Sequence, residues 1–403
     1  SKVFNELKLR ASYGQTGNQE GIRLYDYIQL LKFRDDGWGT KLIYPFGNGS
    51  QSQAMGLDVL AGVDRTWEIL ENVNVGVDAA FLDSRLGFSF DYFVKRNNNM
   101  LIPVTYPSML GAEAPYSNSG KLRTNGFELT LNWTDKIGNV EYSAQFQLTD
   151  AVNKLVEYGG ADTYKLGLNE TREGYPMNSY FAYVYDGVIK DQADLDAYKK
   201  LEGVPSNIGI GDAKFKDLNG DGKISTYGDK DGDDGDAEYV GSTTPRYSFG
   251  LNLGAKWNNF DISVFFQGVA KRTLFREGDF AMPWSDWWRY PPQFYYGQTW
   301  NEDRPDAYYP RLTHGEIRHW NYQASTLQKI NAAYIRLKNI QIGYTLPKGA
   351  LQKLGIERTR FYVSGQDLFE IHNVKGGWDP ESDKAGFNYP FQRYYSFGID
   401  LTF

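Results

Sequence analysis

The sequence contains no cysteine, so disulfides and thiolate metal centres play no part in it. Histidine is almost as scarce: His314, His319 and His372 are the only three. His314 and His319 flank Glu316, a spacing a zinc ion accepts in principle, but they read better as separate polar loop residues. Basic residues are outnumbered, 43 Lys and Arg against 50 Asp and Glu, and no basic stripe is interleaved with aromatics. That argues against a nucleic-acid partner. No run approaches the roughly 18–20 apolar residues of a membrane helix. No secretory signal opens the chain, because charges stand between Ser1 and Asn18 where an apolar core would lie. The chain therefore reads as either cytosolic or the mature part of something longer. Signs of catalysis are missing too. There is no Ser/His/Asp order with local context, no phosphate loop and no paired-acid geometry, so no enzyme is expected. The glycine-rich stretch 47–56 follows no buried strand and reads as a loop.

Aromatic residues, in contrast, make up 16% of the chain, with 30 tyrosines, while mean hydropathy is −0.55. So many rings in a polar chain need a two-faced β-structure with interfacial aromatics, or a carbohydrate-binding surface. Alternation with a period of two recurs along the sequence. Val73, Val75, Val77, Ala79 and Phe81 alternate with Asn72, Asn74, Gly76, Asp78 and Ala80. The same rhythm runs through Leu86–Val94, Phe127–Trp133, Tyr142–Leu148, Tyr247–Trp257 and Tyr395–Phe403. Such a period held for about nine residues or more specifies strands. These are longer than the roughly five or six residues of an average soluble strand. Their polar face is small and neutral, and Trp67, Tyr92, Trp133, Tyr142, Tyr247 and Trp257 stand at strand ends. An apolar band between aromatic girdles, backed by a polar face, is the wall of a membrane barrel, whose strands need only about 9–11 residues to cross.

The connections support this. Residues 82–85, 134–139 and 258–259 are short turns, whereas 34–66, 153–178, 190–243 and 272–330 are long loops. The expected fold is all-β: a transmembrane, antiparallel, up-and-down β-barrel with short periplasmic turns and long extracellular loops. About ten or eleven strands are expected, the last closing the barrel against the first. Asp91, Glu113 and Glu128 fall on loop or lumen positions, and lumen carboxylates in a wet channel are solvated or paired with Arg and Lys.

Several segments, in order, resemble the C-terminal part of SusC/RagA-like TonB-dependent transporters of Bacteroidota outer membranes. They are "LKLRASYGQTGNQEG" (7–21), "TWEILENVNVGVDAAFLDSRLGFSFDYFVKRNNNML" (66–101), "KFKDLNGDGKI" (214–224) and "GSTTPRYSFGLNLGAKWNNFDISVFFQG" (241–268). "YYPRL" (308–312), "AAYIRLKNIQIGYTLPK" (332–348), "SGQDLFEI" (364–371), "GWDPE" (377–381) and the final "YPFQRYYSFGIDLTF" follow. The resemblance runs from end to end and implies the C-terminal half of a large barrel, with the N-terminal plug domain and TonB-contacting segment outside residues 1–403. It further implies TonB-driven import of oligomeric nutrients, glycan oligosaccharides or oligopeptides, at the bacterial outer membrane. A SusD-like lipoprotein partner and a dimer of transporter–lipoprotein pairs come with it. The competing expectation is a surface binder or adhesin that uses the barrel only as an anchor in the lipid.

Two stretches carry candidate sites. In "DLNGDGKISTYGDKDGDDGD" (217–236), Asp217, Asn219 and Asp221 occupy positions 1, 3 and 5 of an EF-hand-type calcium loop. Gly222 is its turn glycine and Lys223 offers a carbonyl at position 7. Gly228 stands at position 12 where an acid belongs, and Asp229 follows one residue late. A structural Ca²⁺ held by Asp217, Asn219, Asp221, Lys223 and Asp229 is expected, with Asp231 and Asp233 as an alternative supply. "AMPWSDWWRYPPQFYYGQTW" (281–300) gathers Trp284, Trp287, Trp288, Tyr290, Phe294, Tyr295, Tyr296 and Trp300. These rings either face a ligand or partner, since aromatic faces stack on sugars and peptide side chains, or pack the loop's own core. The second is slightly favoured.

Overall fold

The structure is a computed structural model and describes residues 4–22, 24–33, 35, 42–47, 51–62, 64–103, 109, 114–159, 167–226, 235–283, 292–347, 355–382, 389 and 391–403. Ten strands form one antiparallel sheet: β1 (Phe4–Asn18), β2 (Glu68–Phe81), β3 (Leu86–Pro103), β4 (Tyr116–Ile137), β5 (Val140–Tyr158), β6 (Arg246–Trp257), β7 (Phe260–Lys271), β8 (Tyr334–Thr345), β9 (Arg358–His372) and β10 (Tyr394–Thr402). Each pairs with the next in sequence, so the sheet is a simple up-and-down meander. The expected alternations all fall on these strands. The turn expected at 134–139 is tighter than the sequence suggested: β4 runs on to Ile137, and Gly138 and Asn139 alone reverse the chain, Gly138 at a φ of +58°.

Register converts the alternation into two faces. Leu9, Val77, Phe90, Leu129, Leu148 and Phe249 stand side by side across β1 to β6. One residue along each strand, the row reads Arg10, Gly76, Asp91, Glu128, Thr149 and Ser248. A slip of one residue would exchange the two rows. The apolar face is bare: Leu9 is 79% exposed and Phe397 82%. Apolar exposure on this scale needs an apolar solvent. No helix among the described residues is long and apolar enough to cross a membrane, so any crossing is made by strands.

The expected closure of the last strand on the first is not made. Among the described residues, β10 pairs with β9 and β1 with β2, and the sheet has two open edges. Each edge carries a row of N–H and C=O groups that lipid cannot satisfy, so further strands must pair there. Ten strands are therefore an arc of barrel wall.

Two arginines brace this arc on its polar face. Arg10 on β1 reaches Asp78 on β2 at 2.8 Å and, across β2, Asp91 on β3 at 2.7 Å. It passes over Gly76, where an added Cβ would lie 2.4 Å from an Asp91 oxygen. Arg360 on β9 likewise crosses β8 to Asp261 on β7 at 2.6 Å, over Gly343. It also holds Asp400 on β10 at 3.1 Å. Asp91 is thus a lumen carboxylate paired with arginine, as the sequence suggested, while Glu113 lies outside the described residues.

On the apolar face the Phe249 ring lies over Gly268, whose added Cβ would meet the ring at 2.3 Å and the Tyr334 carbonyl oxygen at 2.6 Å. Gly268→Ala is expected to destabilise the sheet by about 1–3 kcal/mol through overpacking. Gly14→Ala, at a site with open space, should be neutral. Heat-modifiable mobility of the detergent-extracted barrel on gels reads both; equal shifts would refute the packing argument.

Candidate functional site

The loops at the long-loop end are built structures with cores of their own. Short strands Ser179–Tyr183, Tyr185–Val188, Ala213–Phe215, Ala237–Ser242, Thr273–Phe275 and Lys329–Asn331 pair among themselves, with helices α1 (Gln192–Tyr198) and α2 (Gly315–Asn321) beside them. Asp191 caps α1, its side chain accepting the Asp194 N–H. Ile189, Leu195, Tyr198, Ile208, Phe215, Ile224 and Ile317 form one buried cluster. Tyr180 stacks on Phe275 with ring centroids 4.3 Å apart, beginning a second.

The buried Asp212 ties these pieces together. Arg311 donates to both its oxygens, at 2.6 and 2.8 Å. Asn321 of α2 and the Gly209 N–H complete its hydrogen bonds. Nothing in the sequence singled out Asp212, because its side-chain partners Arg311 and Asn321 lie about a hundred residues away. A similar knot involves "GWDPE". Trp378 packs edge-on against Phe280 and Phe294, while Asp379 and Glu381 pair with the buried Arg336 of β8. Lys338 joins through Glu381 at 2.8 Å and Asp367 at 3.1 Å. The loop following β9 is thereby fastened to the barrel wall.

Of the aromatic loop, Trp284, Trp287, Trp288 and Tyr290 lie outside the described residues. Tyr295 is fully buried, edge-on to Tyr309 and Tyr322 with centroids 4.6 and 6.1 Å apart. Trp300 lies against Gly211, where a Cβ would collide with its ring. Among the described rings of this cluster, which extends to Tyr308 and Tyr309, Tyr296 and Tyr308 turn outward, 89% and 58% exposed. The described rings therefore mainly pack the loop's own core. Burial pushes the Tyr295 and Tyr322 hydroxyls well above their usual range, keeping them neutral, and pushes that of Tyr183 to about 12.

The acidic loop has the turn geometry its sequence predicts. Asp217 accepts the N–H groups of Gly220 and Gly222 at 2.6 and 2.9 Å, and Asp221 accepts that of Lys223 at 2.8 Å. Gly222 adopts a φ of +81°, the sharp turn of position 6. Each carboxylate oxygen has a second lone pair for a cation, so the donor set fits Ca²⁺. Asp229, Asp231 and Asp233 lie outside the described residues, and no group of three His, Asp or Glu that would hold a metal occurs among those described. The sequence reading passed over Asp236. Fully buried, it accepts the Leu218 N–H at 2.6 Å and the Ser225 N–H at 2.9 Å, clamping the two ends of the loop. Burial, then the nearby Asp217 and Asp221, raise its carboxyl above the usual range. Of the histidines, His319 meets Arg318 at 3.0 Å and His372 accepts the Val374 N–H.

No family model matches the chain. Among curated proteins it is 26% identical over its whole length to TonB-dependent receptors P3 and P26 of Formosa agariphila, and 23% identical to TonB-dependent receptor SusC of Bacteroides thetaiotaomicron. It spans 40% of the length of the first two and 38% of SusC. Among solved structures, the RagAB peptide transporter matches all of this chain with a TM-score of 0.74 and 23% identity, covering 41% of that chain. A RagAB peptide importer in a "closed-closed" state gives 0.74 and 24%. The chain is similar throughout to SusC/RagA-like TonB-dependent receptors, and its sheet is the wall of a bacterial outer-membrane β-barrel.

Arg311→Met would leave the Asp212 carboxylate buried without its cation. A loss of about 3 kcal/mol is expected in the loop region, the low end for a broken buried pair because Arg311 is a third exposed. Hydrogen exchange around residues 209–213 should accelerate while the barrel strands stay protected. Unchanged exchange there would show that Asp212 is not the tie.

Proposed function

We propose that the chain is the C-terminal part of the barrel of a TonB-dependent outer-membrane transporter that imports oligomeric nutrients, glycan oligosaccharides or oligopeptides, and that it is not an enzyme. One observation carries the reading: similarity over the full length of the chain, in sequence to TonB-dependent receptors and in fold to a peptide transporter. In this reading the plug that contacts TonB lies outside residues 1–403 and enters the arc from its polar side. The built loops face the outside and support a SusD-like lipoprotein lid, two such pairs forming a dimer. Tyr296 and the neighbouring residues of the aromatic loop belong to the rim that meets the lid or the cargo. Mass spectrometry of the detergent-extracted complex is the test. The expected result is a longer chain containing a plug, a co-purifying lipoprotein and bound oligosaccharide or peptide. A barrel with no plug, partner or ligand would favour an anchor for surface adhesion instead.

The loop at 217–224 holds a structural Ca²⁺ in the same reading, through Asp217, Asn219, Asp221 and the Lys223 carbonyl, with Asp229 as a further ligand. The ion would stiffen one wall of the loop region without taking part in transport chemistry. Replacing both Asp217 and Asp221 with alanine should lower the melting temperature in Ca²⁺ and leave it unchanged in chelator. Parallel melting of the two proteins under both conditions would remove the calcium assignment.

A further inference from the structure

A cavity of about 230 Å³ lies where the upper ends of β5, β6 and β7 meet the strands Ala237–Ser242 and Lys329–Asn331. Its charge is one-sided. Arg246, Lys271, Arg272 and Lys329 line it, and no Asp or Glu does so among the described residues, in a chain where acids outnumber bases. One cation is already balanced: Arg246 donates to both oxygens of the buried Asp150, at 2.5 and 2.6 Å, behind the cavity wall. Asp150 also accepts the Tyr247 N–H, where the backbone takes a φ of +53°. Arg272 donates to the carbonyls of Thr243 and Pro380, which fix its position. Neither Lys271 nor Lys329 has a carboxylate at ion-pair distance among the described residues, and both are exposed. Ser242 and Thr244 add hydroxyls to the same lining.

We propose that this cavity binds one oxyanion, a carboxylate or sulfate, carried by the molecule being imported. The proposal rests on the transporter reading and adds to it a preference for acidic cargo. Two free ammonium groups, a fixed guanidinium and hydroxyl donors match an oxyanion's several lone pairs. The volume admits one sugar ring or one amino-acid residue, below the roughly 300 Å³ of a whole-ligand site, so the cavity reads a single acidic unit of a longer chain. It lies between the barrel wall and the built loops.

The test uses the intact detergent-extracted protein and two matched pairs of probes, glucuronate against glucose and glutamate against glutamine, by titration calorimetry. The acidic member of at least one pair should bind at least about tenfold more tightly. That advantage should shrink as salt is added. It should vanish in the Lys271→Ala/Lys329→Ala variant and persist in Lys271→Arg/Lys329→Arg, with unchanged melting temperatures in both. A preference confined to glucuronate assigns the acidic unit to a glycan, and one confined to glutamate assigns it to a peptide. Equal affinity within both pairs, or a preference that survives the alanine variant, overturns the proposal. Uptake by cells separates the two readings. Transport that continues in the alanine variant without discrimination against neutral cargo fits the oxyanion site. If deleting the gene changes no uptake, the transporter reading fails, while the calorimetry still decides whether the cavity binds anions.

Discussion

Everything in this chain follows from one requirement: a backbone that crosses lipid must satisfy its hydrogen bonds without water. A meander of paired strands meets it for eight strands outright, and for β1 and β10 on one side only. The ladder then fixes the rest. Because side chains alternate, pairing in register sorts the sequence into an apolar outer row and a polar inner row. Because three of the four connections at one end are turns of two to four residues, most of the length is pushed to the other. There the requirement relaxes, and water permits helices, short strands and a core of conventional tyrosine and isoleucine packing.

The barrel wall was readable in the sequence because its signal is local. Period two, strand length and turn residues are properties of neighbours in the chain, and the alternations they rest on fall on six of the ten strands, β2 to β6 and β10. Ring closure was not readable in the same way. Whether β1 meets β10 depends on how many strands complete the circle, and alternation is silent on that number. The loops were opaque for a related reason. Asp212 is held by residues about a hundred positions away, and Asp236 clamps the calcium-type loop from beyond its expected end. A motif reader that looks for a ligand at a fixed spacing passes over a carboxylate that lies beyond that spacing. The aromatic stretch shows the converse. Its composition left two uses open, a stacking surface or the loop's own core, and Tyr295 and Trp300 are used inward, because rings fill the space between irregular segments well.

The two ends of the molecule manage charge differently. Inside the barrel, Arg10 and Arg360 are each matched by two aspartates, and the Arg336 knot has acids to spare. At the junction with the loops the balance reverses around a cavity lined by cations. A chain that is acidic overall has gathered four cations where the wall ends and the loops begin, and among the described residues Lys271 and Lys329 have no carboxylate partner. Such a region raises the local concentration of anions ahead of any specific contact.

The bridges over Gly76 and Gly343 have one more consequence. An ion pair between adjacent strands reports the alignment of two strands; one that skips a strand reports three. If the middle strand joined the sheet one residue out of place, a side chain would stand where the guanidinium must pass. The misaligned sheet would lose the ion pair and the room for it together. Glycine at these positions acts as a checksum on insertion, accepting a strand only when both neighbours are already counted correctly.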